Sequence, residues 1–105
     1  MRETANRSDL IAPATALRAE LTNITADLLA LADDQEACTA SDLRARANSF
    51  VLRATQSSLA AAKGAGFVAG HPAGRWCREA LFFLVWSCPQ GVLNTNLCEL
   101  AGIDA

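Results

Sequence analysis

Two runs of apolar residues at helical spacing constrain this chain more than anything else in it. Leu10, Ala14, Leu17, Leu21, Ile24, Leu28 and Leu31 step alternately by four and three residues. Leu43, Ala47, Phe50, Ala54, Ser57 and Ala61 do the same. Such spacing lines each set along one face of an α-helix. The first helix is expected over about residues 8–32 and the second over about 41–63. Between them Asp33, Asp34, Gln35 and Glu36 make a polar break, because acidic groups sit badly at the negative end of a helix dipole. Thr39 or Ser41 can cap the second helix, with Asp42 in its first turn. Val51, Leu52 and Leu59 widen its apolar face, and the small residues from 57 to 62 let another helix come close.

Pro72 suits the first turn of a third helix, since its missing N–H has no partner there anyway. That helix is expected over 72–87 and should stop before Pro89. A short fourth helix fits 90–100, ended by Gly102. No alternating β-branched run or hairpin turn appears. The chain therefore reads as all-α, a single domain over 1–105 built as a small antiparallel helical bundle. Its two seams should face each other, with Leu21 and Phe50 in the core. Leu81, Phe82, Phe83, Leu84, Val85 and Trp86 are apolar all round and should pack between or across them. Three other helices cover only part of such a segment, so an apolar patch able to drive association is also expected.

Charge narrows the functional classes. The net charge is −2 with both signs scattered, so no basic footprint for nucleic acid is present. No apolar stretch follows the N-terminal Met1-Arg2-Glu3, so a cytoplasmic protein is expected. Residues 80–98 carry no charge, but Pro89, Gln90, Gly91, Asn94 and Asn96 interrupt them well short of the ~20 apolar residues that span a bilayer. Cys38, Cys77, Cys88 and Cys98 contain no C-x-x-C pair, and His71 is the one histidine, so buried free thiols are expected and no metal site. The triplet Asn23-Ile24-Thr25 falls inside a helix and reads as chance.

One segment carries possible chemistry. Gly64-Ala65-Gly66-Phe67 precedes Pro72-Ala73-Gly74-Arg75-Trp76-Cys77-Arg78-Glu79-Ala80. Gly64 and Gly66 permit close backbone approach. The helix start after Pro72 presents free N–H groups and a positive dipole end. Arg75 and Arg78 add two cations one turn apart, and something negative should compensate. A dinucleotide phosphate is one candidate; the other is a carboxylate of this chain, from Glu79, Asp42 or Glu99. His71 is placed to cap the helix rather than to act as a catalyst. Phe82, Phe83 and Trp86 read as core residues rather than as a stacking platform for a flavin.

The pattern G-x-G-F, then P-x-x-R-x-x-R-E-A, resembles the loop-to-helix element of the acyl-CoA dehydrogenase family, where the loop reads G-G-x-G-[FY] and the helix P-x-x-[RK]-x-x-R-[DE]-A. The order of long helix, break, long helix, glycine loop, arginine helix and last helix is that of the family's C-terminal domain, over essentially the whole chain. Arg44 matches a basic residue near the start of the family's second helix. The resemblance implies FAD as cofactor and Gly64, Ala65, Gly66, Arg75 and Arg78 as an edge of its adenine end. It implies partnership, as a homo- or hetero-oligomer, with domains that hold the flavin ring and the acyl-CoA.

Departures limit what is implied. The first loop glycine is replaced by Lys63, the adenine-contacting glutamine by Ala60, and the catalytic glutamate by Ser87, which is no base at neutral pH. No catalytic residue can be named. The expected function is therefore a C-terminal portion or small subunit of an FAD-dependent oxidoreductase that dehydrogenates acyl thioesters, incomplete alone. The alternative is a non-enzymatic helical dimerisation or interaction module.

Overall fold

The two apolar seams lie on two long helices, α1 (Ile11–Ala32) and α2 (Ala40–Ala62), followed by α3 (Pro72–Phe82) and α4 (Gln90–Ala101). The computed structural model describes residues 8–35, 38–63 and 70–103, and no strand occurs among them. A single 3-10 turn, Ser8–Leu10, leads into α1, whose Pro13 falls in the first turn where an N–H is dispensable. α1 stops at the acidic break, where Asp34 turns left-handed at φ 58° and Gln35 N–H reaches back to Ala30 O at 2.8 Å. Thr39 is the residue that caps α2, its hydroxyl accepting from Asp42 N–H at 3.0 Å. Gly102, at φ 75°, ends α4.

α1 and α2 are antiparallel, as the seams imply. Arg53 pairs with Glu20, and Arg46 pairs with Asp27 at 2.6 Å. The partners thus move seven residues forward along α1 and seven backward along α2. The seam on α1 is only partly covered. Leu10, Ala14 and Ile24 are buried and Leu17 and Leu31 half-buried, but Leu21 and Leu28 are 47% and 56% exposed. The expectation that Leu21 is a core residue is thereby corrected, and Phe50 opposite it is half-buried. A space of about 190 Å³, lined by Leu17, Leu21, Phe50 and Ala54, remains between the two helices. α1 packs mainly on α2, and one main neighbour covers a narrower strip than a closed bundle would.

α2 is the axle of the molecule. α1, α3 and α4 each pack on it and meet one another marginally at most. Its buried residues, Leu43, Ala45, Asn48, Ser49, Leu52 and Ala61, therefore point in more than one direction around the helix and not along a single seam. The interior these contacts make is modest. Five of the ten buried apolar residues are alanines, with Ala73 and Ala80 at the α3 contact, and the bulkiest side chain with almost no exposure is polar, Asn96.

α3 ends at Phe82, five residues before the sequence suggests. Residues 83–87 continue as tight turns in which Phe83, Leu84 and Val85 N–H groups bond three residues back, and Ser87 is left-handed at φ 48°. The cause lies on α2. The Arg44 guanidinium donates to Phe83 O at 3.1 Å, Trp86 O at 3.3 Å and Ser87 O at 3.4 Å. With no charge of its own, this stretch takes its cation from a residue some forty positions earlier. Arg44 Nε also donates to Asn48 Oδ1 at 3.2 Å, Asn48 Nδ2 donates to Asn96 Oδ1 at 3.0 Å, and Asn96 Nδ2 donates to Ala45 O at 3.1 Å. One relay thus pins both the end of α3 and the middle of α4 to α2.

Arg44→Lys keeps the charge but loses the planar fork that serves several carbonyls at once. It should lower stability by about 1–3 kcal/mol, and Asn96→Ala should do so by a similar amount, each leaving polar groups unsatisfied. Chemical denaturation of the single and double variants checks this. The double variant should lose less than the sum, because the two residues share one network.

The exposed face of α3

α3 begins where the sequence places it. His71 is the cap, its Nδ1 accepting from Ala73 N–H at 3.1 Å, and Pro72 opens the first turn. One of the free N–H groups at this helix start is therefore already used by the chain itself. The candidate residues Gly64, Ala65 and Gly66 lie outside the described residues. The entry to their loop is described. Lys63 holds φ 57° and ψ −144°, backbone that glycine adopts readily and other residues resist.

Arg75 and Arg78 come together one turn apart on the outer face of α3. With Glu79, Phe82 and Phe83 they line an open hollow of about 350 Å³. Arg75 Nε lies 3.3 Å from Glu79 Oε1, so of the carboxylates weighed from sequence, Glu79 is the one that answers it. Both groups are well exposed, and such a pair contributes little to stability. Arg78 makes no hydrogen bond or ion pair among the described residues.

The aromatic residues beside these arginines are not core residues. Phe82, Phe83 and Trp86 are 51%, 47% and 63% exposed, and Leu81 and Val85 are exposed as well; of this run Leu84 alone is half-buried. This corrects the expectation that residues 81–86 pack between the long helices. The chain has no fourth side to close over α3, and the Arg44 clasp holds the turn after Phe82 against α2 while its rings face outward. Phe82 stacks on Trp86 with ring centres 5.5 Å apart and planes at 20°, and meets Phe83 edge-on at 6.2 Å.

A second group of charges lies on the other side of α2. A polar cleft of about 250 Å³ between α1, α2 and α4 includes Glu20, Asp42, Arg46, Arg53 and Glu99. Its cations are engaged, Arg53 by Glu20 and Arg46 by Asp27. The hydrogen bond with Asp27 holds the Arg46 guanidinium above its ordinary pKa, so it stays charged. All four cysteines are free and half-buried; Cys77 Sγ donates to Thr55 O at 3.2 Å across the α2–α3 contact. No group of three or more His, Cys, Asp or Glu side chains able to hold a metal occurs among the described residues. No helix among them is long and apolar enough to cross a membrane.

Sequence reasoning missed the role of Arg44. The signal available was the absence of any charge from 80 to 98, which leaves the carbonyls at the end of α3 in need of a donor from elsewhere. On this face of α3 the described residues bring together the Arg78 guanidinium, without an ion pair among them, an aromatic wall and the Glu79 carboxylate. No protein-family model, no curated protein and no solved structure matches this chain.

Lys63→Gly should raise stability by about 1 kcal/mol, since relief of the strained backbone outweighs the added freedom of the unfolded chain. Thermal or denaturant unfolding reads this directly, and Lys63→Ala, which keeps the strain, should bring no gain.

Proposed function

We propose that this chain is a helical assembly module that completes its apolar surface against another protein surface. One observation carries the reading. A run of large apolar side chains, Leu81, Phe82, Phe83, Val85 and Trp86, lies on the outside, while half of the buried apolar residues are alanines and the bulkiest enclosed side chain is Asn96. Surface apolar residues scattered singly need no explanation, but a contiguous aromatic group rimmed by charge marks an interaction site. An environment-sensitive apolar dye should bind the purified chain, and Phe82→Glu should abolish most of that binding while leaving the helix content unchanged.

A second reading builds on the first and takes the partner surface to be the flavin-binding part of an acyl-CoA dehydrogenase-like oxidoreductase. It is supported by the unpaired Arg78 on the hollow of α3 and by the glycine-type backbone of Lys63, where the family has a glycine. In such an assembly FAD would supply the hydride acceptor. This chain would contribute packing and the cationic edge, with Arg78 the better placed of the two arginines because Glu79 already engages Arg75. Alone, the chain should bind FAD weakly or not at all. With flavin-binding domains supplied, Arg78→Ala should weaken flavin retention more than Arg75→Ala, and Ser87→Ala should leave turnover unchanged. Flavin absorbance retained through gel filtration is the readout, and equal retention in all variants would remove the cofactor from this reading.

A further inference from the structure

α3 and the turns after it carry two stripes with opposite fates. Ala73, Cys77, Ala80 and Leu84, spaced by four, three and four residues, are the covered stripe: the alanines are buried and the other two half-buried. Arg75, Arg78, Glu79, Phe82, Phe83 and Trp86 recur at the spacing of a single helix face and are all exposed. This outer stripe has an order along its length. Its first half is charged and its second half aromatic. Arg75 and Glu79 neutralise each other, and Arg78 is left beside the aromatic half with no partner among the described residues.

We propose that this stripe is the interface of a homodimer in which two copies of α3 lie antiparallel about a two-fold axis at Phe82. The order of the stripe makes it its own complement. Reversing it sets the cationic half of one copy on the aromatic half of the other. With the axis at Phe82, that ring meets Phe82 of the partner subunit. Arg78, four residues before the axis, lies over Trp86 of the partner subunit, four residues after it. A two-fold axis makes that contact twice. A guanidinium over an indole face is a favourable cation–π pair, more so once water is excluded. The same pairing accounts for the one arginine of the hollow that its own chain leaves unmatched.

The stripe also carries the apolar surface for it. Of the thirteen large apolar residues found exposed among the described residues, Phe82, Phe83 and Trp86 lie on this stripe and Trp76, Leu81 and Val85 flank it. The face is also prepared in advance. Arg44 holds the carbonyls of Phe83, Trp86 and Ser87, which fixes the backbone under the aromatic rings and reduces the ordering cost of association.

The inference rests on the assembly reading above and names the occupant of its surface. Sedimentation of the full chain over a micromolar dilution series tests it. The wild type should be a dimer, and Phe82→Glu should be monomeric throughout. Arg78→Glu should raise the dimer dissociation constant about tenfold or more, since it removes two cation–π contacts at once. Arg78→Lys should stay near wild type, because an ammonium also serves. Leu29→Lys, an equally exposed position on α1, should leave the dimer intact. Circular dichroism reports whether each variant folds, and if Phe82→Glu does not, the surface charge exchange at Arg78 decides. A wild-type monomer that still binds apolar dye in a Phe82-dependent way overturns the second copy as occupant and leaves the assembly reading standing. A monomer that binds no dye overturns both. A dimer indifferent to both Phe82→Glu and Arg78→Glu, or broken by Leu29→Lys, overturns the α3 face as its site.

Discussion

Asn96 is almost wholly enclosed, and its carboxamide is spent on α2: the oxygen accepts from Asn48 and the nitrogen donates to Ala45 O. Asn48 in turn accepts from Arg44, whose guanidinium grips the carbonyls beyond α3. The arrangement of everything after residue 82 depends on this relay. Amide and guanidinium groups have directional demands that apolar contacts lack, and buried ones must be satisfied. An interior in which half of the buried apolar residues are alanines leaves room for sliding registers. A buried Asn–Asn bond with a carbonyl partner allows few. The specificity of this fold is thus carried by polar geometry, and its apolar surface is left over for other purposes.

That division explains why the molecule is open on the outside. Each of α1, α3 and α4 buries one strip against α2, and no second layer covers their outer faces. Leu21, Leu28 and Leu29 on α1 and the rings on α3 are consequences of the same geometry. Only on α3 are the exposed residues aromatic, stacked and flanked by an unmatched cation, which is why that face and not the others supports an interaction reading.

The helices themselves were legible because periodicity is a local property. The 4-3 seams located α1 and α2, Pro72 and Gly102 marked one start and one stop, and Thr39 and His71 are caps of the ordinary kind. What the sequence left hidden is tertiary. The end of α3 is set by Arg44, a residue distant in the chain, and no local pattern before Pro89 announces it. Leu21 belongs to a valid helical seam yet lies half outside, because burial depends on how many neighbours a helix acquires. In the candidate site, the spacing of Arg75 and Arg78 placed them correctly on one face. Their differing fates, one paired with Glu79 and one unpaired, follow from local spacing: Glu79 stands four residues after Arg75 and only one after Arg78.

The three attachments to α2 are of different physical kinds. α1 is joined through two exposed or half-exposed ion pairs across a contact that still holds a space of about 190 Å³. α4 is joined through buried amides, and α3 through covered alanines and the Arg44 clasp. Dissolved salt screens exposed ion pairs far more than enclosed hydrogen bonds. Ionic strength therefore addresses one helix selectively. As it rises, the ion-pair share of α1's hold on the axle should weaken first, leaving its buried Leu10, Ala14 and Ile24 to keep the contact, while the enclosed amides of α4 are little touched.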